Sequence, residues 1–365
     1  MLETRIFIND TVHSRLEQRG ITRYADKVIE VLAEAFADRV TVLSTANRNY
    51  AGARHLRPLH FAGRYRLNFM LRDSLASMVA WSQRATIYFS PYFGRAATRG
   101  AEIYTVYDMI HELHPQYFDP ANPFVRAFIA EKQRCIERAT CLVAISERTA
   151  LDILTCYPHI EAARIKVIPL GVDDFFRQGG GEPPNMRRPY FLYVGQRGLY
   201  KNFLRLVSAF ALSGLSADHD LLAVSPSDAR FSDAEARIIA GHGLQESISL
   251  VSGVTDVDLR NLYAGARALV YPSEYEGFGL PILEAMASGT LVLASCRASM
   301  PEVGGHAAYY FDPFDEEALA DGLRTLAGLP EGERLARISE GKKRAQSFTW
   351  TKCQLGILDL FREMS

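Results

Sequence analysis

The stretch SEYEGFGLPILEAMASG, from Ser273 to Gly289, puts two glutamates around a sequence that predicts the start of a helix. The residues before it, RALVYPS, are typical of a strand. Pro281 suits the first turn of a helix, where its missing N–H costs nothing, and Gly289 is expected to end that helix. The backbone N–H groups near Phe278 would lack intrahelical partners, so this helix N-terminus is predicted to favour an anion.

The two glutamates of this stretch, Glu276 and Glu284, suggest a ligand with hydroxyl groups as well as negative charge. Gly277 and Gly279 would let the backbone approach the ligand closely. Glu284 lies about one turn inside the predicted helix, and its side chain leans back toward the N-terminus. A carboxylate is repelled by phosphate but accepts hydrogen bonds from hydroxyls, so we expect a ligand that is anionic at its centre and polyhydroxylated at both ends. The alternative is that the helix dipole stabilises Glu284 as a first-turn acid, while Glu276 is a solvated loop residue.

Strand-like and helix-like segments alternate along the whole chain, which predicts parallel sheets with helical crossovers. The predicted strands are TRIFI, RVTVLS, ATIYFS, EIYTVYD, CLVAIS and IKVIPL in the first half, and PYFLYVG, DLLAVS, SISLVSG, ALVYPS and LVLAS in the second. The Gly- and Pro-rich segment at residues 177–189 is a predicted linker. The sequence therefore predicts an α/β fold of two Rossmann-like, doubly wound parallel-sheet domains facing a cleft, at residues 1–176 and 190–347. Residues 348–365 are expected to form a capped helix that packs back toward the N-terminal domain.

The composition is that of a globular protein without an overall nucleic-acid signature. The chain has 365 residues, 48% of them hydrophobic, and a formal net charge of −1, which fits two domains and gives no reason to expect a nucleic-acid partner. The first residues have no signal-peptide pattern, and no apolar run approaches the length of a membrane span, so we expect a cytoplasmic protein. The five cysteines show no C-x-x-C spacing and are interpreted as buried thiols of a reducing compartment.

The motif E-G-F-G-L-P-x-x-E-A-M-A-x-G after a strand resembles the retaining glycosyltransferases of family GT4, which share the two-domain GT-B fold. The segments LVAISERT, VIPLGVD and YVGQRGLYKN extend the resemblance over nearly the whole chain. The resemblance implies that Glu276 contacts hydroxyls of the donor sugar and that Glu284 holds the ribose. It also implies that the diphosphate and the sugar are lined by Gly277, Phe278, Gly279 and Leu280.

Two basic residues follow the predicted strand of YFLYVGQRGLYKNF. Asn202 is a natural N-cap, which leaves Lys201 at the positive end of a helix, where the dipole disfavours a cation. Such a lysine near Arg197 makes sense if an anion binds there, and a departing diphosphate without a metal needs this positive charge. The resemblance places Arg197 and Lys201 on the donor phosphates as catalytic residues, although Gln196 stands where the commonest form of the motif has its arginine. The alternative is an ordinary basic surface.

The segment VSGVTDVDL contains Asp256 and Asp258 as D-x-D, a pattern found in metal-dependent glycosyltransferases of another fold. Thr255, three residues before Asp258, favours instead a capping box at a helix start. No metal or other cofactor is therefore expected. The resemblance implicates Val254, together with Ser225 at the end of DLLAVS, in holding the base of the nucleotide.

In the first half, Gly20 and Thr22 of GITRY predict a flexible turn and a helix N-cap, and they resemble the family's first glycine-rich loop near the donor phosphates. Asp108 follows the fourth predicted strand, where many relatives carry His-Asp and this chain has Tyr107-Asp108. The resemblance implies a catalytic role for Asp108. Tyr107, Asp108 or His111 is expected to substitute for the absent histidine on the sugar or acceptor side, and the alternative for His111 is a polar loop residue.

Eight arginines but only one acid lie between residues 54 and 99. A charge run of this kind is usually a solvated face, but in the presumed acceptor domain it also suits docking on an anionic membrane or a diphosphate-linked lipid. Within this segment, residues at helical spacing are predicted to be core, namely Leu67, Leu71, Leu75 and Met78.

We therefore expect a metal-independent, retaining glycosyltransferase that moves a hexose to a glycan or a polyprenyl-diphosphate-linked acceptor in the synthesis of a surface polysaccharide such as lipopolysaccharide. Subfamily resemblance favours mannose as the sugar and GDP-mannose as the donor. The protein would act in the cytoplasm or peripherally at the inner face of the plasma membrane. Two alternatives remain: a nucleotide-sugar 2-epimerase-like enzyme on the same fold, and a catalytically silent partner that binds nucleotide or glycan.

Overall fold

A computed structural model describes residues 4–10, 12, 19–44, 49–57, 65–178, 186–225 and 230–365. The chain forms two compact units, one of Met1–Leu170 with Trp350–Ser365 and the other of Gly171–Thr349. The segment predicted as a linker lies inside the second unit, and its residues 179–185 lie outside the described residues. The second unit begins before this segment because Phe176 is buried there, with its ring edge-on to Tyr263 at 6.0 Å.

The described strands of the first unit form one parallel sheet, in the order β3-β2-β1-β4-β5-β6-β7. They are β1 (Ile6–Asp10), β2 (Val40–Ser44), β3 (Arg54–Leu56), β4 (Ile87–Ser90), β5 (Ala101–Val106), β6 (Cys141–Ala144) and β7 (Ile165–Val167). The helices of this unit are α1 (Arg19–Phe36), α2 (Tyr65–Ser82), α3 (Ile110–Leu113), α4 (Pro123–Arg138), α5 (Glu147–Cys156) and, at the end of the chain, α13 (Trp350–Glu363).

The sheet of the first unit is buried on both faces. Tyr88 and Tyr104 belong to a core formed with α2, α4 and α5. Phe89 points to the opposite face, where the ring of Phe361 in α13 lies edge-on to it at 5.5 Å. The side-chain amide of Gln354 donates a hydrogen bond of 2.9 Å to the carbonyl of Lys27, which ties α13 to α1. The last helix is therefore part of the core of the first unit.

The described strands of the second unit also form one parallel sheet, in the order β10-β9-β8-β11-β12-β13. They are β8 (Tyr190–Val194), β9 (Asp220–Ser225), β10 (Ile248–Ser252), β11 (Ala268–Tyr271), β12 (Leu291–Ser295) and β13 (Tyr309–Phe311). The helices are α6 (Phe203–Ser213), α7 (Asp233–Gly241), α8 (Asp256–Gly265), α9 (Leu280–Ala287), α10 (Met300–Gly304), α11 (Glu316–Ala327) and α12 (Glu331–Gln346).

Side chains of successive strand residues divide the core of the second unit between two faces. Phe191, Ala223 and Val270 belong to the face that α6, α7 and α11 cover. Tyr190 points the other way, and its hydroxyl donates a hydrogen bond of 2.7 Å to the carbonyl of Leu262 in α8. The face of the sheet that carries α8 is therefore opposite to the face that carries α6 and α7.

All eleven predicted strands are confirmed. The two that the sequence did not indicate, β3 and β13, are edge strands of three residues each, too short to show a period. The prediction that all five cysteines are buried is wrong for Cys296, which is exposed, and Cys156 is half-buried. No helix of the described residues is long and apolar enough to cross a membrane.

Candidate active site

The strand order of the second unit reverses between β8 and β11. From β8 the chain continues to β9 and β10 on one side, whereas from β11 it continues to β12 and β13 on the other. Open parallel sheets bind ligands beyond the carboxyl ends of the strands at such a point, because the two outgoing loops diverge there and leave a crevice. The loops concerned are residues 195–202 after β8 and residues 272–279 after β11.

Lys201 and Glu276, one from each of these loops, meet at the reversal. The Nζ of Lys201 lies 2.6 Å from Oε1 of Glu276, and the two side chains are 17% and 12% exposed. The residues are 75 positions apart in the chain, so only the fold brings them together. The hydroxyl of Tyr271 hydrogen-bonds the same carboxylate, and burial together with the charge of Glu276 raises the pKa of Tyr271 well above its ordinary value. A cation and a carboxylate thus lie side by side, a combination that suits a ligand with both phosphate and hydroxyl groups.

The backbone around Glu276 is hydrogen-bonded by the side chain of Ser299, which is completely buried. Its hydroxyl lies 2.8 Å from the carbonyl of Glu276 and 2.8 Å from that of Phe278. The ring of Phe278 packs edge-on against Phe348, with centroids 5.8 Å apart, so this residue has only its backbone to offer a ligand. The sequence did not reveal Ser299, although a polar residue just after a strand, here β12, is the signal that could have found it.

Helix α9 starts at the mouth of the site, as the sequence predicted. It begins at Leu280 with Pro281 in its first turn, and Gly289 follows its end with a φ of +84°. Gly279 precedes the helix with a φ of +105°, in the left-handed region, and a Cβ there would lie 3.3 Å from Cδ1 of Ile282. Glycine is required at this position because it alone reaches this conformation without strain and leaves room for the turn. Gly277 is buried in the same loop.

Glu284 lies on α9, and its Oε2 accepts a hydrogen bond of 3.0 Å from the hydroxyl of Tyr263 in α8. Val254, half-buried, follows β10 and Gly253, and stands just before α8. The capping box at the start of α8 is confirmed, because Thr255 Oγ1 accepts from the N–H of Asp258 and the carboxylate of Asp258 accepts from the N–H of Thr255. The D-x-D pattern therefore has a structural explanation, since Asp258 completes the start of a helix.

Residues 176–345 match the family model described as Glycosyl transferases group 1. The chain carries a group 1 glycosyltransferase domain. O-antigen chain mannosyltransferase B of Escherichia coli is 27% identical to this glycosyltransferase, over 94% of this chain and 96% of that protein. The MMP alpha-(1->4)-mannosyltransferase of Mycolicibacterium hassiacum is 31% identical, over 63% of this chain and 56% of that protein. Sucrose-phosphate synthase of Thermosynechococcus elongatus has the same fold, with a TM-score of 0.76 at 21% identity and 99% of both chains covered, and the predicted GT-B fold is confirmed.

Arg197 does not join Lys201 at the reversal point of the glycosyltransferase. Its Nε lies 2.8 Å from Oε1 of Glu235, and the two side chains are 5% and 7% exposed. The guanidinium also lies over the rings of Phe203 and Phe231, at 5.8 and 5.5 Å from their centroids. The structure therefore pairs the cation with a buried carboxylate between two aromatic rings, whereas the expected pairing with the donor phosphates stays a prediction. The capping box of Ser232 and Glu235 was the sequence signal that α7 would place an acid at this point.

Ser225 ends β9 on the same side of the sheet as Leu221 and Ala223, the side that α6 and α7 cover. It is completely buried, and its hydroxyl has no hydrogen-bond partner in the described part of the chain. Glu284 lies on the opposite side, on α9. Ser225 and Glu284 thus belong to opposite faces of the sheet, and their roles at the base and the ribose stay predictions.

Asn202 precedes α6, as predicted, but its side chain does not cap the helix. The residue is left-handed, with a φ of 61°, and its amide donates hydrogen bonds of 3.1 Å to the carbonyl of Pro272 and 2.7 Å to that of Pro313. These bonds connect the loop after β8 to the loop after β11. The N–H of Glu274 donates to the carbonyl of Tyr200 at 2.8 Å and joins the same two loops.

In the first unit, the predicted N-cap at Thr22 is wrong. Helix α1 of the described residues already begins at Arg19, so Gly20 and Thr22 lie within its first turns. Tyr24 of α1 is completely buried, and its hydroxyl hydrogen-bonds Thr105 at 2.9 Å. Residues 13–18 of the segment resembling the glycine-rich loop lie outside the described residues.

Tyr107 is not available to a sugar, contrary to expectation. Its side chain is 6% exposed, and its hydroxyl donates a hydrogen bond of 2.7 Å to the carbonyl of Pro91. The ring stands edge-on to that of Tyr24 at 5.7 Å, so it belongs to the core. Asp108 follows β5 and remains accessible, with a side chain that is 37% exposed. Lys132, 1% exposed, fixes this turn because it donates hydrogen bonds to the carbonyl of Asp108 at 2.8 Å and to Glu112 at 2.7 Å.

His111 lies in α3, half-buried between aromatic rings. Its imidazole stacks on Phe118 with centroids 4.0 Å apart and lies 5.0 Å from the ring of Phe128. Burial lowers the pKa of His111 to about 4, Asp108 opposes this shift, and Lys132 adds to it. The imidazole is therefore neutral near pH 7, able to exchange hydrogen bonds with hydroxyls but not to supply positive charge.

The low pKa of His111 predicts a loss of stability at mildly acid pH. As the pH falls from about 6.5 to about 4, the unfolded chain binds a proton on this histidine before the folded chain does, so the free energy of unfolding decreases across this window. A His111→Phe variant keeps the ring contacts and should show a weaker pH dependence. Urea unfolding of both proteins at pH 7 and pH 5 measures the difference, and equal pH dependences would contradict the prediction.

The arginine-rich segment carries an exposed apolar surface, which we call the Trp81 patch, formed by Met78, Trp81, Arg84 and Arg99. Met78 and Trp81 are 63% and 64% exposed on α2. The guanidinium of Arg99 lies over the ring of Trp81 at 5.8 Å from its centroid, and Arg84 is exposed nearby. The prediction that Met78 is core is wrong, because α2 turns Ala76, Val79 and Ala80 toward the sheet instead. Arg64 and the side chains of residues 65–72 lie outside the description.

Proposed function

We propose that the protein is a retaining, metal-independent mannosyltransferase, which transfers mannose from GDP-mannose to a glycan or a polyprenyl-diphosphate-linked acceptor during surface polysaccharide synthesis. The observation that carries the proposal is the contact of Lys201 with Glu276 at the strand-order reversal, beside the N-terminus of α9. Mannose is supported by O-antigen chain mannosyltransferase B, whose resemblance extends over nearly the full length of both chains.

Lys201 and Glu276 would contact different parts of the donor. Lys201 would pair with the diphosphate, together with the free N–H groups at Gly279 and Leu280, and Glu276 would accept hydrogen bonds from hydroxyls of the mannose. Glu284, already an acceptor for Tyr263, would take the ribose hydroxyls. The donor must first separate Lys201 from Glu276. Its diphosphate then replaces the carboxylate as the partner of Lys201, and its sugar hydroxyls replace the ammonium as the partners of Glu276.

The reaction breaks the bond between the anomeric carbon and the diphosphate oxygen. Negative charge builds on that oxygen, where the ammonium of Lys201 stabilises it. The acceptor hydroxyl attacks the anomeric carbon from the same side, its proton passes to the leaving diphosphate, and the anomeric configuration is retained. Asp108, held in place by Lys132 in the first unit, would help to orient the acceptor or the sugar.

A comparison of nucleotide sugars tests the proposal. GDP-mannose, UDP-glucose, ADP-glucose and dTDP-glucose are added separately, and the melting temperature and the release of nucleotide are followed with and without EDTA. A donor at a hundredfold excess over its Kd stabilises the protein by about 2.7 kcal/mol, and we expect GDP-mannose to have the largest effect, unchanged by EDTA. With an acceptor glycan, NMR of the product should show the anomeric configuration of the donor.

The outcomes also separate the alternatives. Conversion of GDP-mannose to another hexose without acceptor would identify an epimerase-like enzyme, and binding without any turnover would identify a silent partner. If none of the nucleotide sugars shifts the melting temperature or is consumed, the proposal is wrong.

We also propose that the Trp81 patch docks on the anionic inner face of the plasma membrane, where lipid-linked acceptors are found. Trp81 and Met78 offer apolar contact, while Arg84 and Arg99 attract anionic headgroups. We expect the protein to float with phosphatidylglycerol vesicles but not with phosphatidylcholine vesicles, and Trp81→Ala to lower the bound fraction several-fold. Leu335→Ala, at a 53% exposed leucine of the second unit, is the matched control. Equal flotation of Trp81→Ala and wild type would exclude this surface.

A further inference from the structure

The guanidinium of Arg197, whose side chain is 5% exposed, is held by several partners of the second unit. Its Nε and one of its terminal nitrogens lie 2.8 and 3.4 Å from the two carboxylate oxygens of Glu235, and that nitrogen also donates to the carbonyl of Arg230 at 2.9 Å. Phe203 and Phe231 supply aromatic faces for the guanidinium plane. This is the two-point pairing and stacking that an arginine makes and a lysine cannot reproduce.

Glu235 is itself fixed. Its second carboxylate oxygen accepts a hydrogen bond of 2.7 Å from the N–H of Ser232, and its own N–H donates to the hydroxyl of Ser232, which closes the capping box of α7. The carboxylate is 7% exposed and cannot follow Arg197 without opening the first turn of α7. If Arg197 left to meet a phosphate, Glu235 would remain as a buried charge without its counter-ion, which is strongly unfavourable.

The loop after β8 is the part that this pairing holds in place. At its start, the hydroxyl of Tyr193 donates to the carbonyl of Gln196 at 2.5 Å. At its end, Asn202 is bonded to the carbonyls of Pro272 and Pro313. Between these two anchors Arg197 is tied to α7, and Lys201 emerges four residues later from a short 3₁₀ turn, Leu199–Lys201.

We infer that the Arg197–Glu235 pair positions the β8–α6 loop so that Lys201 reaches the donor diphosphate, and that Arg197 does not itself bind the diphosphate. The pair lies on the side of the sheet that α6 and α7 cover, whereas Glu284 and Tyr263 lie on α9 and α8, on the other side. Arg197 and Glu235 are thus positioning residues for Lys201. This inference rests on the proposed function.

Four variants separate positioning from phosphate binding. Arg197→Met removes the cation and leaves Glu235 buried and unpaired, so we expect kcat for mannose transfer to fall at least thirtyfold. Arg197→Met combined with Glu235→Gln also lacks the cation, but the glutamine keeps the hydrogen bond to Ser232 and no buried charge is left, so kcat should return to within about fivefold of wild type. Glu235→Gln alone leaves the buried cation of Arg197 without its counter-ion and should therefore lower kcat, and Arg197→Lys should resemble Arg197→Met more than wild type.

Different results are expected if Arg197 itself binds the donor phosphates. In that case the double variant would stay as inactive as Arg197→Met, and Glu235→Gln would leave the Kd for GDP unchanged or lower it, because the arginine would be released toward the phosphates. Either result overturns the inference. So does a set of variants with lowered melting temperatures but wild-type kcat, which would make the pair a stabilising contact only.

The Kd of wild type for GDP, measured by calorimetry, separates this inference from the proposed function. If wild type binds no GDP and transfers no mannose, the proposed function fails. If wild type is active and the double variant shows no recovery, the positioning role fails while the proposed function stands.

Discussion

A Lys201→Met variant is expected to transfer mannose about 10²- to 10³-fold more slowly than wild type, with a smaller loss in donor binding. The methionine keeps the length of the side chain but cannot stabilise the charge that develops on the leaving diphosphate, and removing one such donor costs about 3–4 kcal/mol in the transition state. Steady-state kinetics with GDP-mannose should therefore show a lower kcat, and calorimetry with GDP a raised Kd.

The control for this variant is Lys343→Met, which removes an exposed lysine from α12 in the same unit. It should keep wild-type kinetics. Folding is checked by the melting temperature, since Lys201 is 17% exposed and its loss also leaves Glu276 without the ammonium 2.6 Å away. Wild-type kcat in Lys201→Met would mean that the diphosphate departs elsewhere.

A Glu276→Gln variant is expected to separate binding from chemistry, because its effects on the two have opposite signs. The variant no longer holds Lys201 by charge, so the ammonium is free for phosphate and GDP should bind as tightly as in wild type or more tightly. Transfer should fall about a hundredfold, because hydrogen bonds from sugar hydroxyls to a charged acceptor are worth about 1.5–3 kcal/mol each. Calorimetry with GDP and kinetics with GDP-mannose measure the two effects.

Glu340→Gln is the matched control, since Glu340 is an exposed acid of the second unit that pairs with Arg337. The exchange of charges in Lys201→Glu with Glu276→Lys gives a second check. The exchanged pair can form again, so the melting temperature should recover, but each charge then faces the wrong part of the donor and activity should not return. Recovery of activity would show that the pair matters for folding alone.

The local patterns around the site were sufficient to predict Lys201, Glu276 and the start of α9, because each depends on residues close in sequence. The strand, the two glycines and Pro281 together specify where the helix begins and which N–H groups it leaves free. The contact between Lys201 and Glu276 was beyond sequence patterns, because it depends on the placement of β8 beside β11.

Arg197 shows the limit of the same reasoning. A basic residue after a strand predicts a nearby anion, but not which one, and the carboxylate of Glu235 lies 38 positions away in the chain. The prediction that Tyr107 contacts the sugar or the acceptor was wrong for a similar reason. Its place after β5 was predicted correctly. The direction of its ring depends on contacts with Tyr24 and with the carbonyl of Pro91, and the pattern of neighbouring residues in the sequence does not indicate these contacts.

The last helix, α13, makes the order of synthesis part of how the protein folds. The second unit is one continuous segment, Gly171–Thr349, and is synthesised completely before Trp350 is added. The first unit is interrupted by it, and Phe89 has no Phe361 to pack against until α13 has been made. Because domains fold as units during synthesis, the second unit of a nascent chain can be complete while the first still exposes an apolar face. A chain stalled before Trp350 would therefore expose the face of the first sheet that α13 covers.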